Sequence, residues 1–307
     1  MPLSVFHHPS CQAHENAPGH IESPNRYRAI DTMLAAKKDI LTHEAPRATR
    51  SQLSRVHTAS HVERISAHIA DGGGPLDADT GTNEHSWEAS IRAAGAVVAA
   101  VDRAVTDHTH VFCAIRPPGH HAMPDHPMGF CLFNNIAVGV EHALNTLEIS
   151  RVGIFDFDVH HGNGTEAIFY DRADIHFTSI HEAPWYPGTG RVTDTGSGAG
   201  VGTTLNLPLA AGADDASLLN LWLEHVRPAW EAFEPEIIFL SAGFDGDQRD
   251  PLANLNYTPS GFERLTSHIV QWSKAAGNLN IISVLEGGYN CEALAEDVSV
   301  HLDALNQ

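Results

Sequence analysis

Basic residues are scarce in this 307-residue chain. It has 18 Lys and Arg against 38 Asp and Glu, a formal charge of −20. A surface this acidic repels phosphates and gains nothing from counterion release, so nucleic acid is excluded as a partner. It attracts cationic partners such as lysine-rich peptides or polyamines; solubility, or adaptation to a salty cytoplasm, accounts for the same charge equally well. Cysteines are also few. Cys11, Cys113, Cys131 and Cys291 lie far apart without CxxC spacing, which argues against a disulfide framework in a chain of this size. No apolar run is long enough to span a bilayer, and the opening MPLSVFHHPSCQAHE has no basic region followed by an apolar stretch. A reduced, cytoplasmic location without membrane contact is expected. Ser- or Gly-rich linkers, internal repeats and low-complexity tracts are missing too, so residues 1–307 read as a single domain with long functional loops.

What is present is a set of short apolar runs rich in β-branched residues: Leu3–Phe6, His110–Ile115, Arg151–Phe155, Ile175–Ile180, Thr204–Leu207, Glu236–Leu240 and Asn280–Leu285. Each is too short and too continuous for an amphipathic helix and reads as a buried strand. Helical stretches alternate with them. Ser23 and Pro24 offer an N-cap and a first-turn proline ahead of Arg26–Lys37. Glu84–Val105 is long and Ala-rich, and Asp215–Phe233 carries Leu at helical spacing. Pro259–Ser273 opens with Ser260 three residues before Glu263, the pattern of a capping box. Alternation of this kind predicts an α/β fold, a mostly parallel central sheet with helices on both faces.

Polar clusters follow three of the strands: Asp156-Phe157-Asp158, Ser241–Asp245 and Glu286-Gly287-Gly288-Tyr289. Ligands of open α/β sheets bind at the carboxyl ends of strands, so these clusters can meet in space. Asp158 and His160 are two residues apart in extended chain and point to one side. With Asp245 they make an Asp/His/Asp set, and three N and O ligands with one open position suit a catalytic zinc. Alone, Asp-x-His is a weak signal and reads more readily as a strand-end carboxylate capping the next helix. The run Arg116-Pro117-Pro118-Gly119-His120-His121 shifts the balance: a rigid loop presents two adjacent imidazoles, which can divide proton removal from water and proton delivery to a leaving amine. Many of the 22 histidines must be incidental; His7, His8, His43, His57, His61, His85, His108 and His225 receive no role.

Six segments, RPPGHH (116–121), GFCLFNN (129–135), DFDVHHGNGTE (156–166), PWYPGTG (184–190), SAGFDGDQRDPL (241–252) and LEGGYN (285–290), resemble in wording and order the signature segments of histone deacetylases. DVHHGNG and SAGFD are similar to the class II enzymes and their bacterial amidohydrolase relatives. The resemblance implies the single-domain arginase/deacetylase fold and zinc-dependent hydrolysis of the acetamide of acetylated amines, in proteins, peptides or small molecules. It places zinc on Asp158, His160 and Asp245. It makes His120 and His121 the tandem catalytic histidines, with the second the general base and acid. Asp156 stands behind the first and Asn163 behind the second, where class I members carry Asp. Tyr289 becomes the hydroxyl donor to the acyl oxygen, Gly287 and Gly288 give the backbone close approach to the acyl group, and Phe130, following Gly129, pairs with Tyr186 as the walls of a substrate tunnel. The resemblance further implies structural potassium, one site on the side chains of Asp156 and Ser179 and the backbone carbonyls of Asp156, Asp158, His160 and Ile180, and a second near Phe169, Arg172 and Ile175. Arg26 resembles the arginine of the family's internal acetate channel. Homo-oligomers are compatible, since relatives form dimers and tetramers.

Three other readings compete. An acetylpolyamine deacetylase shares fold and metal, but relatives of that kind carry an acidic gatekeeper where this chain has Leu252; the apolar residue favours acetyl-lysine side chains of proteins or peptides as the substrate, whereas the charge of −20 pulls toward cationic polyamines. A two-metal ureohydrolase needs bridging carboxylates where this chain has His160-His161-Gly162-Asn163. An inactive acyl-lysine binding module would have no use for the His120–His121 pair.

Overall fold

Continuous β-branched runs form strands when both faces of a sheet are covered. A computed structural model of the chain describes residues 2–307. In it the strands in chain order are β1 (Leu3–His7), β2 (Ile40–Glu44), β3 (Gly74–Pro75), β4 (Gly81–Thr82), β5 (Val111–Ala114), β6 (Val152–Asp156), β7 (Ile175–Glu182), β8 (Thr204–Leu209), β9 (Ile237–Ala242) and β10 (Asn280–Leu285). Eight of them build one sheet in the order β2-β1-β5-β10-β9-β6-β7-β8, and every neighbouring pair in it is parallel. Strands β3 and β4 form a separate two-residue antiparallel ladder.

Alternate residues of each strand feed two cores. Val111 and Cys113, Ile237 and Phe239, and Ile282 and Val284 face one. Phe112 and Ala114, Ile238 and Leu240, and Ile281 and Leu285 face the other. The long helix Ser86–Asp107 covers the first face with small residues, Ala93, Ala96, Val97, Ala100 and Val101, all buried. Helix Pro259–Ala275 covers the second with Phe262, Leu265, Ile269 and Val270, joined by Leu294, Val298 and Leu302 of helix Cys291–Leu305.

Three local expectations change, and one sheet strand is added to those expected. β2 goes unannounced because ILTHE is a half-exposed edge strand and lacks a continuous apolar run. The Ser260–Glu263 capping box is not made. Pro259 occupies the first helical turn, so Thr258 is the N-cap and its side chain accepts from Gly261 N. Asp215–Phe233 is two short helices around a π-helical turn, Trp222–Val226. Ser23 does precede its helix, but its side chain makes no cap bond.

Chain order and sheet order together locate the site. From β6 the chain builds outward through β7 to β8, then returns to place β9 and β10 on the other side of β6. The crevice at the carboxyl ends of β6 and β9 is therefore a topological switch point, where open sheets bind ligands.

Candidate active site

Asp158 and His160 lie in the loop after β6, and Asp245 in the loop after β9. All three are buried, and one ligand atom from each lies within 4.8 Å of the others. His160 Nδ1 is 3.1 Å from Asp158 Oδ1 and 3.1 Å from Asp245 Oδ2. Zinc with bonds of about 2.0–2.1 Å sets neighbouring tetrahedral ligand atoms about 3.3 Å apart, so the spacing fits that ion. The backbone holds the carboxylates from behind: Gly287 N donates to Asp158 Oδ2 (2.8 Å) and Val159 N to Asp245 Oδ1 (3.0 Å). Glycine is required here. A Cβ on Gly287 would come 2.1 Å from Asp245 Oδ2, and one on Gly243 would come 2.0 Å from Asp158 Oδ2. Burial disfavours the charged forms, yet hydrogen bonds to Asp158 and Asp245 raise His160 to about 10. Burial and the Asp158 charge raise Asp245. Two carboxylates and an imidazole crowded out of water are the donor set a divalent cation satisfies.

His120 and His121 follow β5, with ring centroids 3.9 Å apart and planes tilted by 39°. Their partners separate them electrostatically. His120 Nδ1 meets Asp156 Oδ2 at 2.9 Å. Although burial opposes it, the charges of Asp158 and Asp156 hold His120 well above the usual histidine range. His121 Nδ1 meets Asn163 Oδ1 at 2.7 Å. Burial, then the neighbouring His120 and His160, hold His121 well below that range. An amide oxygen only accepts, so Nδ1 of His121 carries its proton and Nε2 keeps a lone pair. The amide cannot usefully turn over, since its nitrogen donates to the sulfurs of Met123 (3.3 Å) and Met128 (3.2 Å).

A cavity of about 230 Å³ opens from this centre, lined by His121, His160, Tyr289, Phe130, Tyr186 and Leu252. The Tyr186 ring stands edge-on to His121, with centroids 5.2 Å apart, and the Phe130 ring edge-on to Tyr289, 5.9 Å apart. Phe130 has φ +68°, a left-handed backbone that a bulky residue adopts only under outside constraint. The constraint is visible: Phe130 N donates to Thr80 Oγ1 (3.1 Å), and Gly129 before it (φ +56°) lies against the His121 ring, where a Cβ would come 2.4 Å from Cδ2. Burial, then the Asp245 charge, raise Tyr289 well above the usual phenol range, so its hydroxyl stays a donor. Gly288 (φ +119°) precedes it.

Several residues that sequence reasoning missed hold this arrangement. Glu286 Oε2 accepts from Gly119 N (2.6 Å) and His120 N (3.1 Å), fixing the tandem histidines. Asp250 accepts from Tyr289 N (2.6 Å) and, through its other oxygen, from Leu252 N (2.9 Å). Both lie inside quoted segments: Glu286 directly precedes Gly287 and Gly288, whereas Asp250, between Arg249 and Pro251, carries no comparable local signal. Asp79 and Trp185 also line the cavity, and Trp185 Nε1 donates to Leu252 O (2.9 Å). Arg26 is fully buried. It donates to the backbone oxygens of Gly288 (2.6 Å) and Glu286 (2.5 Å), pairs with Glu22, and lies 4.9 Å over the Tyr289 ring.

Asp156 and Ser179 are in register on β6 and β7. His181 Nε2 donates to Gly190 O (3.1 Å), so its Nδ1 accepts from Ser179 Oγ (3.0 Å) and the serine oxygen keeps free lone pairs. Ile180 is the next residue of β7. Near the other implied potassium position, Phe169 O already accepts from Arg172 N and Arg172 O from Thr203 Oγ1. No described helix is long and apolar enough to cross a membrane.

Comparison with known proteins gives a consistent result. Residues 20–305 match the family described as "Histone deacetylase domain". The chain is 40% identical to a probable deacetylase of Methanothermobacter thermautotrophicus over 95% of this chain and 87% of that one. It is 36% identical to a histone deacetylase-like amidohydrolase of Pseudomonas aeruginosa, over 89% of this chain and 73% of that one, and 40% identical to the chloroplastic histone deacetylase 14 of Arabidopsis thaliana over 84% of this chain. It spans only 64% of that plant protein and 60% of a chloroplastic rice relative. The crystal structure of the HDA15 HD domain superposes with a TM-score of 0.93 at 32% identity, over 99% of this chain and 88% of that one.

Proposed function

The chain belongs to the histone deacetylase family, and from that premise we propose that it is a zinc-dependent deacetylase acting on acetyl-lysine side chains of proteins or peptides. The supporting observation is the meeting of Asp158, His160 and Asp245 with two histidines, one backed by the Asp156 carboxylate and the other by the Asn163 amide, beside one apolar slot.

Asp158, His160 and Asp245 would hold the zinc, which supplies Lewis acidity toward the acetyl carbonyl and acidifies a neighbouring water. Phe130 and Tyr186 clasp the methylene stem of the acyl-lysine and exclude water around it. His121 acts as base through Nε2, because Nδ1–H is committed to Asn163. It removes a proton from water as the water oxygen bonds to the carbonyl carbon. The protonated His120, paired with Asp156, and the Tyr289 hydroxyl stabilise the negative oxygen that develops. His121 then returns its proton to the amine nitrogen, the C–N bond breaks, and lysine and acetate leave. Asp156, Ser179 and Ile180 form the preferred potassium position, with oxygen donors suited to a hard cation.

Leu252 favours this reading over polyamine deacetylation, since it puts an apolar side chain on the cavity lining. Zinc-loaded protein should hydrolyse an acetyl-lysine peptide and lose that activity to a chelator. Retention of full activity after zinc is stripped would remove the metal from the account.

A further inference from the structure

Trp185 is shared by two cavities. It lines the acyl cavity and also a neighbouring groove of about 480 Å³, with Pro184, Gly188, Arg191, Pro208 and Leu209. Trp185 is 40% exposed, so it forms a ridge between them. The groove is built from behind. Gly190 O accepts from His181 Nε2, Thr189 Oγ1 shares a 2.8 Å hydrogen bond with His161 Nδ1, Ala183 N donates to Leu209 O (2.8 Å), and Trp185 is tied to Leu252 O. Gly190 (φ +81°) packs so closely that a Cβ would come 2.6 Å from the His161 and His181 rings. Its walls therefore hold their shape without a ligand, which lowers the ordering cost of binding.

Charge differs across the ridge. Asp79 lies on the acyl-cavity side. Arg191 lies on the other, and it is the one Arg or Lys on the lining of either cavity. Among the described residues its guanidinium has no carboxylate within 4 Å; Asp194 accepts only from its backbone N–H (3.1 Å). An exposed, unpaired cation beside proline and leucine, in a chain of net charge −20, is suited to an anionic partner with an apolar stem.

We propose that the groove behind Trp185 is a specificity subsite that receives the substrate segment flanking the acetyl-lysine, and that Arg191 selects an acidic residue in that segment. This rests on the deacetylase reading and deepens it: the preferred substrate is an extended peptide with a carboxylate beside the acyl-lysine, and free acetylpolyamines, which lack an anion, gain nothing from the subsite.

The test compares kcat/KM for acetyl-lysine peptides that differ only in one flanking residue, Asp, Asn or Lys, walked along both sides, with a terminally blocked acetyl-lysine as the flank-free reference. One side should prefer Asp over Lys by roughly two- to fivefold, the range of an exposed ion pair, and the preference should shrink as salt rises. Arg191→Ala should remove it, and Arg191→Glu should reverse it, while the blocked acetyl-lysine is turned over as before. No gain from Asp at any position, or a gain that survives Arg191→Ala, overturns the subsite with the deacetylase reading intact. Failure to hydrolyse even the blocked acetyl-lysine overturns that reading and the subsite with it.

Discussion

The pairing of His121 with a neutral amide makes a sharp demand on pH dependence. Replacing Asn163 by Asp would put a full negative charge where Asn163 Oδ1 now sits, 2.7 Å from His121 Nδ1. Opposite charges about 4 Å apart at an effective dielectric near 20 attract by about 4 kcal/mol, or about three pKa units. Burial of the new carboxylate offsets part of this, leaving a rise of about one to two units. The sign follows from the role. A base must be unprotonated to work, and His121 now lies well below the usual histidine range, so raising its proton affinity moves the acid limb of kcat/KM to higher pH. At a fixed pH below the new limb, activity falls about tenfold per unit. The assay is a pH series of kcat/KM for the native protein, Asn163→Asp and Asn163→Ala, with zinc content measured in each. Asn163→Ala loses the orienting bond without adding charge, so its limb should not rise. An acid limb unmoved in Asn163→Asp at full metal content would refute His121 as the base.

Other expectations follow from the same geometry. Tyr289→Phe should lower kcat by roughly two to three decades with little change in KM, the cost of losing one oxyanion donor; an unchanged kcat removes the tyrosine from the chemistry. Asp245→Ala should purify without tightly bound zinc by elemental analysis, and full metal content there would refute the ligand assignment. Gly287→Ala should also lose metal affinity, because its Cβ would enter the space of Asp245 Oδ2; undiminished affinity would show that the cradle yields. Leu252→Glu should move the ratio of kcat/KM values toward an N-acetylpolyamine by roughly two- to fivefold, and a fixed ratio would clear Leu252 of any part in selectivity.

The two-sided sheet was legible because its strands are uninterrupted apolar runs: Val111–Ala114 and Ile237–Ala242 are buried throughout. The edge strand Ile40–Glu44 escaped because one side meets solvent and polar residues break the run. Helices Ala59–Ala70, Asn135–Thr146 and Cys291–Leu305 were not singled out, although their N-caps Thr58, Asn134 and Asn290 all accept backbone hydrogen bonds; those caps were the readable signal. For the site, Asp158, His160 and Asp245 could be grouped because each follows a strand. The division of labour between His120 and His121 depends on Asp156 and Asn163 lying behind them, contacts 36 and 42 residues apart in sequence, which spacing alone does not reveal. Trp185 and Asp79 went unread for the same reason: nothing local marks a residue that becomes a wall only when six separate loops meet.

The most direct test of the account is kcat/KM of zinc-reconstituted protein on an acetyl-lysine peptide and on an N-acetylpolyamine, side by side, with and without chelator. The expected result is a preference for the peptide and loss of activity on chelation that zinc restores. A polyamine preference would contradict the substrate assignment, and chelator-resistant hydrolysis would contradict the chemistry.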